Sequence, residues 1–338
     1  MVEPPAASEW GDLLSEFRAR GGVADNVEQA GVRGLRACEP GKPFLLRVPA
    51  NLRFPLGDIE FVADAIRIRA GAGAGDAERQ FFERYQDLIS WGGGGRLESA
   101  ALVSLYDALP PELRTSLAGV FGMRELVEDG NAESIRRQFL RNRMIYWNNK
   151  QIFAPIVELA RRGENGIPIS SDQHGSLVLE GRTDGEIFLT YGPHDSLGIF
   201  RRHGVAVARP HAFSLPFTTK IGSMGLSIGR NVTARRERDG VAMPLLSSQS
   251  GDHYLSHLMV GNAKFPRLSR GIFEALMREA GIADSAQLFD RVMHFNRGRF
   301  LQLLGALEPL RGDMVARLRS MVLFQLEALS HCVGTCEL

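Results

Sequence analysis

Hydrophobic residues recur along the chain with a helical period in some segments and as short continuous runs in others. Residues 8–20 carry their large apolar side chains on one side of a helix. Those side chains are Trp10, Leu13, Leu14 and Phe17. Residues 44–48 form an apolar run that ends before Pro49, which is typical of a buried strand. The N-terminal region therefore predicts a short amphipathic helix followed by strands.

The middle of the chain, residues 58–147, carries a mostly helical pattern. Residues 82–89 and 102–109 place their apolar side chains at helical spacing. Glycines 92–95 predict a loop between these two windows. We expect a largely helical segment here.

The pattern changes three more times toward the C-terminus. Residues 176–190 consist of a strand, a turn and a second strand, which predicts a β-hairpin. Residues 215–246 are rich in glycine and predict irregular structure. Residues 252–329 return to helical periodicity. The C-terminal region is therefore predicted to be mostly helical.

Length and composition narrow the class of protein. The chain has 338 residues, of which 44% are hydrophobic, so it can bury a sizeable core in two or three domains. Its 40 basic and 39 acidic residues nearly cancel, which argues against a dedicated nucleic-acid binder. No apolar run is long enough for a transmembrane helix, so no membrane partner is expected.

The N-terminus lacks the basic and apolar regions of a signal peptide. Three cysteines in a chain of this length do not make a disulfide framework, which suits a reducing compartment. We therefore expect a cytoplasmic protein. Its oligomeric state stays open.

A short motif suggests a more specific interpretation. The strand at residues 185–190 ends in Tyr191-Gly192-Pro193, and His203-Gly204 follows at a fixed distance. The motif resembles the C-terminal half of a SET domain, in the branch of the Rubisco large-subunit lysine methyltransferases. Residues 33–37 and the strand that ends in Val48-Pro49 resemble the start of the same domain.

The resemblance implies an α+β fold and an activity. It implies a SET β-domain split between residues 20–53 and 140–210, with a helical insert at residues 54–139. Residues 211–338 would form a mostly helical, substrate-binding C-terminal domain. The implied function is an N-methyltransferase that uses S-adenosylmethionine (SAM) and acts on a protein or peptide side chain.

The resemblance also implies roles for particular residues. Tyr191 would orient the acceptor nitrogen where it meets the SAM methyl group, and positioning supplies much of the rate of such a transfer. Arg33, Gly34 and Leu35 would form the loop that binds SAM, because a glycine lets the backbone approach a ligand closely. Arg143 would pair with the SAM carboxylate in a charge-assisted contact.

The chain departs from the family at the adenine-binding motif P-x-x-D-x-x-N-H. When the motif is aligned on Pro155, Glu158 stands in the place of the aspartate. Arg161 and Arg162 then occupy the positions of the Asn-His pair. We include both arginines among the candidate cofactor-binding residues.

The residues predicted to contact the methyl acceptor also differ from the family pattern. His203 replaces a tyrosine that lines the family's lysine channel, while Ser196 and Val205 replace an asparagine and a phenylalanine. A histidine titrates near neutral pH and can act as a base. Tyr191 and His203 are therefore the candidate catalytic residues. The acceptor is expected to be an amine other than an ordinary trimethylated lysine, such as a histidine, an α-amine or a non-protein amine.

Two alternatives remain open at this point. The chain could use SAM on a small molecule or peptide in a biosynthetic pathway, or it could be a catalytically silent SET scaffold. The loss of the Asn-His pair favours both alternatives over a conventional lysine methyltransferase.

No metal is predicted. His253 and His257 have the i,i+4 spacing of a helical metal site, but no neighbouring carboxylate motif accompanies them. Cys332 and Cys336 do not form the cysteine-rich zinc cluster that follows some SET domains.

Overall fold

The structure is a computed structural model that describes residues 7–31, 34–123, 132–147, 150–238 and 241–333. The chain divides into two compact units. The first unit comprises Met1–Ser104 and Gly130–Gly192, and the second comprises Leu105–Asp129 and Pro193–Leu338. Helices and strands occur in both units, so the predicted α+β class is confirmed.

The helices, in chain order, are α1 Ala7–Ala19, α2 Asp76–Leu88, α3 Arg96–Asp107, α4 Pro111–Gly119, α5 Ala132–Arg143, α6 Ser196–His203, α7 Leu268–Glu279, α8 Ser285–Leu307 and α9 Asp313–Val333. The strands of the first unit are β1 Val23–Asp25, β2 Glu28–Gln29, β3 Leu35–Arg36, β4 Pro43–Val48, β5 Phe54–Pro55, β6 Ile59–Val62, β7 Ala65–Ile68, β8 Ile145–Trp147, β9 Lys150–Phe153, β10 Arg161–Gly163, β11 Ser170–Ser171, β12 Leu177–Arg182 and β13 Glu186–Thr190. The strands of the second unit are β14 His211–Phe213, β15 Phe217–Ile221, β16 Met224–Ile228, β17 Arg235–Arg238, β18 Val241–Pro244, β19 Leu246–Gln249, β20 Asp252–Leu255 and β21 Met259–Asn262.

The N-terminal predictions are confirmed. Helix α1 buries Leu13, Leu14 and Phe17 against the core of the first unit, and the Phe17 ring lies 6.2 Å from that of Phe81 on α2. Strand β4 covers the predicted apolar run. The helical period and the short apolar run each predicted the right element because both segments are long enough to show one clear pattern.

The predicted hairpin at residues 176–190 is wrong, although both strands exist. Strand β12 pairs with β4 and β11, and β13 pairs with β3 and β10. The connection between β12 and β13 bonds to the N-terminal part of the chain, since Gly41 N–H donates to Thr183 O and Ala37 N–H donates to Gly185 O. The short turn therefore carries the chain from one four-stranded sheet to another.

The middle segment is only partly helical. Helices α2, α3 and α4 confirm the pattern, but β6 and β7 form a hairpin before them. Residues 59–68 have Ile66 and Ile68 alternating with more exposed positions, which is a period of two that a helical interpretation overlooks. The glycines predicted as a loop lie in a kinked turn between α2 and α3, where Gly94 has a non-helical φ of 123°.

The second unit contains more strand than the sequence predicted. Its largest sheet has the order β15-β16-β20-β19, and all of residues 215–246 were expected to be irregular. Strands β15 and β16 are joined by a two-residue turn with Gly222 at a φ of 60°, a hairpin signal that was missed. Strands β20 and β21 occupy the start of the region predicted as helical, and α7 begins only at Leu268.

The compact units group the chain differently from the predicted domains. Residues 54–104 belong to the first unit, whereas Leu105–Asp129 belongs to the second. The split SET domain, its insert and its C-terminal domain stay a prediction. Among the helices of the described ranges, none combines the length and apolarity needed to cross a membrane.

Candidate active site

Strand β13 is central to the candidate site of the first unit. It lies between β10 and β3 in a sheet of order β10-β13-β3-β2, and Tyr191 follows its last residue directly. Ile187 and Leu189 are buried, and only 9% of Tyr191 is exposed. The alternation along β13 therefore places the tyrosine on the same face as the core residues of the strand.

The two candidate arginines lie beside this strand. Strand β10 runs parallel to β13, with Arg161 opposite Phe188 and Arg162 opposite Leu189. Arg162 Nη1 donates to the carbonyl oxygen of Thr190 at 2.9 Å, one residue before Tyr191. Arg161 is more exposed and pairs with Glu186, with 3.3 Å between Nε and Oε1. The structure thus brings together Arg161, Arg162 and the strand that directly precedes Tyr191.

The chain then crosses β13 at a glycine that the sequence analysis did not single out. A Cβ on Gly166 would lie 2.1 Å from the carbonyl carbon of Leu189. The crossing is fixed by hydrogen bonds on both sides, from Ile167 N–H to Phe188 O at 2.7 Å and from Thr190 N–H to Ile167 O at 3.2 Å. Only glycine fits at this position, because the obstacle is backbone rather than a flexible side chain.

The predicted N-terminal loop reaches the other side of the same strand. Leu35 pairs with Ile187 and is fully buried. Gly34 has a φ of 121°, and a Cβ there would lie 2.7 Å from Glu186 Oε1. The positive φ favours a glycine at this position, whereas the nearby carboxylate belongs to a flexible side chain that could move. Arg33 lies outside the described residues.

Arg143, at the end of α5, is buried and forms an ion pair with Glu158. Its Nη1 lies 2.8 Å from Glu158 Oε2 and 3.1 Å from the carbonyl oxygen of the same residue. Tyr85 Oη donates to the other carboxylate oxygen at 2.7 Å. Burial and the Glu158 charge raise the pKa of Tyr85 well above its ordinary value. Glu158 therefore bridges α2 and α5.

The guanidinium of Arg143 is only partly used by these contacts. Within the described ranges, its Nε and Nη2 are buried and have no hydrogen-bond partner. A buried donor without a partner costs about 1–3 kcal/mol, and more for a charged group. Nε and Nη2 form the edge of an arginine that binds a carboxylate through two parallel bonds.

A strained turn precedes Glu158. Ile156 has a φ of 70° and a ψ of −56°, and Val157 N–H donates to Pro155 O at 2.9 Å. These angles and this bond define a γ-turn of the rare, strained kind. A β-branched residue at positive φ is a clear outlier, and such strain costs about 1–3 kcal/mol. The turn persists because neighbouring contacts hold it.

In the second unit, the other candidate catalytic residue ends a short helix. His203 is the last residue of α6 and is half-buried. Gly204 follows with a φ of 66° and closes the helix through its N–H to Phe200 O at 2.8 Å. Tyr191 belongs to the first unit and His203 to the second.

Asp195 begins the same helix and was not identified from the sequence. Its carboxylate accepts hydrogen bonds from the N–H groups of Gly198 and Phe213, at 2.8 and 2.9 Å. It also accepts two contacts from Arg230 Nη2, at 2.5 and 2.7 Å. Burial alone would raise the pKa of Asp195, but Arg230 and the backbone donors outweigh it and lower the pKa. An aspartate just before a helical segment is the N-cap signal that could have found it.

The histidine pair of the second unit does not lie on a helix. His253 is in β20 and His257 follows that strand, so the i,i+4 pattern has no helical meaning here. In the part of the chain that the structure describes, no group of three or more His, Cys, Asp or Glu side chains could hold a metal ion. Cys332 is buried in α9, and Cys336 lies outside the described residues.

Comparisons with known proteins give structural similarities only. No family model matches the chain, and no curated protein matches it. Among solved structures, it is similar to Rubisco LSMT bound to AdoMet, with 11% identity, 97% of this chain and 91% of that chain covered, and a TM-score of 0.44. It is also similar to the SET domain of LSMT bound to lysine and AdoHcy, with 10% identity, 98% and 91% coverage, and a TM-score of 0.43.

Proposed function

We propose that the protein is a SAM-dependent N-methyltransferase of the SET class that acts on a protein or peptide side chain. One observation carries the proposal. Two segments from distant parts of the sequence, Gly34-Leu35 and Arg161-Arg162, flank the strand that precedes Tyr191. A chance resemblance of short motifs gives no reason for these segments to be neighbours.

The side chains present fit SAM in two respects. Arg143 has a buried Nε–Nη2 edge without a partner among the described residues, and this edge suits the SAM carboxylate. Gly34 leaves backbone without a side chain beside β13. When bound, SAM supplies an electron-poor methyl group to the lone pair of a neutral amine. Arg143, Gly34, Leu35 and the two arginines of β10 would hold it.

Tyr191 and His203 are proposed to act on the acceptor. Tyr191 orients the amine, and orientation of two reactants can contribute much of the rate. His203, in place of a channel tyrosine, accommodates an acceptor shaped differently from the lysine side chain and can take up its proton. A histidine is the acceptor that agrees with a protein or peptide side chain, whereas an α-amine or a non-protein amine would place the activity on a chain terminus or a small molecule.

A second candidate is a silent scaffold, and one observation favours it. The arginines at the Asn-His positions are engaged within the chain, Arg162 with Thr190 O and Arg161 with Glu186. Side chains committed to such contacts are less available to bind an adenine. A scaffold of this kind keeps the fold without binding SAM.

Calorimetric titration with SAM and with its demethylated product separates the two candidates. The methyltransferase binds both, and the scaffold binds neither. Labelled SAM with a panel of lysine, histidine, α-amine and small-amine acceptors then identifies the acceptor. His203→Tyr is expected to shift transfer toward lysine. Efficient lysine trimethylation by the unchanged protein, with no effect of His203→Tyr, would contradict the proposed acceptor class.

A further inference from the structure

We propose that Glu158 and Tyr85 are positioning residues that fix the guanidinium of Arg143 for a ligand carboxylate. The inference rests on the proposed function, since the ligand is the carboxylate-bearing cofactor. It adds two residues that touch no cofactor atom themselves. Both act through Arg143.

The contacts of Glu158 divide its carboxylate between two partners. Oε2 takes Arg143 Nη1 at 2.8 Å, and Oε1 takes Tyr85 Oη at 2.7 Å. The carbonyl oxygen of Glu158 accepts a further bond from the same Arg143 nitrogen, at 3.1 Å. Two acceptors from one residue fix the position of Nη1, and the phenol fixes the carboxylate.

One nitrogen held twice sets the orientation of the whole guanidinium, because that group is planar and rigid. Nε and Nη2 are thereby left as the buried edge of Arg143 that has no hydrogen-bond partner within the described residues. The Phe139 ring, 5.7 Å from the guanidinium carbon, packs beside the group. Rotation of the guanidinium toward other acceptors is restricted by these contacts. The arginine is therefore pre-organised for a second, incoming carboxylate.

The strained turn before Glu158 costs conformational free energy, so contacts around Glu158 must maintain it. Ile156 adopts its positive φ two residues before Glu158 and five before β10. Strain of this kind persists only where surrounding contacts over-determine it, and it clusters at ligand sites. The bonds from Tyr85 and Arg143 are such contacts. The same segment continues into β10 and Arg162, which donates to Thr190 O.

The test compares two ligands, S-adenosylhomocysteine and the same thioether without its α-carboxylate. The unchanged protein is expected to bind the carboxylate-bearing ligand more tightly. Tyr85→Phe removes the hydroxyl that fixes Glu158 and is expected to weaken binding of that ligand by about 2- to 10-fold. Binding of the ligand without the carboxylate should stay unchanged. Glu158→Gln should act in the same direction.

Tyr146→Phe is the matched control, since Tyr146 is 44% exposed in the same unit. Equal weakening of both ligands by Tyr85→Phe would overturn the positioning role and leave the proposed function standing. Equal affinity of the unchanged protein for the two ligands would also overturn it. If the unchanged protein binds neither ligand, the proposed function itself fails.

A measurement without ligand protects the test against a variant that folds poorly. Amide hydrogen exchange of residues 157–163 is expected to be faster in Tyr85→Phe than in the unchanged protein, because the turn loses part of its support. Exchange in the β6–β7 hairpin should not change. Unaltered exchange at residues 157–163 would overturn the proposal.

Discussion

Two buried ion pairs within the described residues differ in how completely their hydrogen-bonding groups are used. In the second unit, Asp195 accepts from two backbone N–H groups and twice from Arg230, while Arg230 Nη1 also bonds to the carbonyl oxygens of Phe213 and Ser214. In the first unit, Arg143 uses only Nη1, and its Nε and Nη2 have no partner within the described residues.

The difference separates a structural pair from a pair with unused binding capacity. A buried pair repays its desolvation only when the geometry is good and the remaining groups are bonded. Asp195 and Arg230 meet that condition and connect the start of α6 to the strands of the second unit. Arg143 does not meet it without a further acceptor. An incompletely satisfied pair is therefore the better candidate for a ligand site.

Breaking the satisfied pair is expected to have the largest effect. Arg230→Met leaves the Asp195 carboxylate buried without its counter-charge, which typically costs about 3–5 kcal/mol. The free energy of unfolding from urea titration measures the loss. Arg270→Met, at a more exposed ion pair in the same unit, is the control and should cost much less. A small loss of stability in Arg230→Met would show that the complete hydrogen bonding of the Asp195 pair does not make it a structural pair.

Breaking the unsatisfied pair is expected to cost less. Arg143→Met also strands a carboxylate, Glu158, but it removes two buried donors that have no partner. We expect a loss of about 1–3 kcal/mol. Urea titration measures this loss, and Arg96→Met, at an exposed arginine of the same unit, is the control. A loss as large as that of Arg230→Met would show that the two pairs are equivalent. If the proposed function holds, SAM should raise the free energy of unfolding of the unchanged protein and not that of the variant.

Acid is expected to destabilise the second unit before it affects the Asp195 pair. Burial, with the charge of Arg235 acting in the same direction, lowers the pKa of His257 from 6.5 to about 4. The unfolded chain therefore binds more protons below pH 6.5, and stability falls as the pH drops from 6.5 toward 4. The lowered pKa of Asp195 keeps its contribution until the pH falls further.

Urea midpoints at several pH values between 7.5 and 4 test this order. His257→Gln cannot gain the proton and should flatten the loss of stability in that range. The same substitution at His294, an exposed histidine of α8, is the matched control. A pH profile that His257→Gln leaves unchanged would rule out His257 as the cause.

Tyr191→Phe should have the smallest effect on stability. It keeps the buried ring and removes one hydroxyl, so the free energy of unfolding should change by no more than about 1.5 kcal/mol. Methyl transfer, once an acceptor is identified, should fall strongly. Thermal unfolding and a labelled-SAM assay measure the two effects, with Tyr146→Phe as control. Full activity in Tyr191→Phe would exclude the tyrosine from the site.

Local patterns predicted elements better than they predicted pairing. Helix α1 and strand β4 followed directly from their apolar spacing. The hairpin at residues 176–190 was wrong because a turn sequence does not say which edge of which sheet receives the next strand. The strands between Phe217 and Gln249 differ from the prediction because a glycine-rich pattern indicates irregular structure even where the glycines lie in strands and turns. Strand pairing depends on partners far away in the chain.

The residues of the candidate site also divide into those that a local motif predicts and those that only the folded structure reveals. Motif spacing identified Tyr191, Gly34, Arg161 and Arg162, which the structure gathers around β13. It assigned Arg143 without its counter-ion. The motif alignment identifies Glu158 only as a replacement for an aspartate, and the helical spacing identifies Tyr85 only as a core residue. Their bonds join residues from α2, α5 and the turn before β10, so no local pattern could have revealed them.

The pairing around β13 also constrains how the protein can fold during synthesis. Strand β3 pairs through Leu35 with Ile187, and β4 pairs through Val48 with Leu177. The sheet of β4 therefore cannot close until β12 has left the ribosome, and the sheet of β3 cannot close until β13 has done so. The first unit must wait for residues made much later, which raises its contact order and slows its folding. A chain truncated before Glu186 should leave β3 and Arg161–Gly163 without their shared neighbour, and unpaired strand edges of this kind make an incomplete chain prone to aggregation.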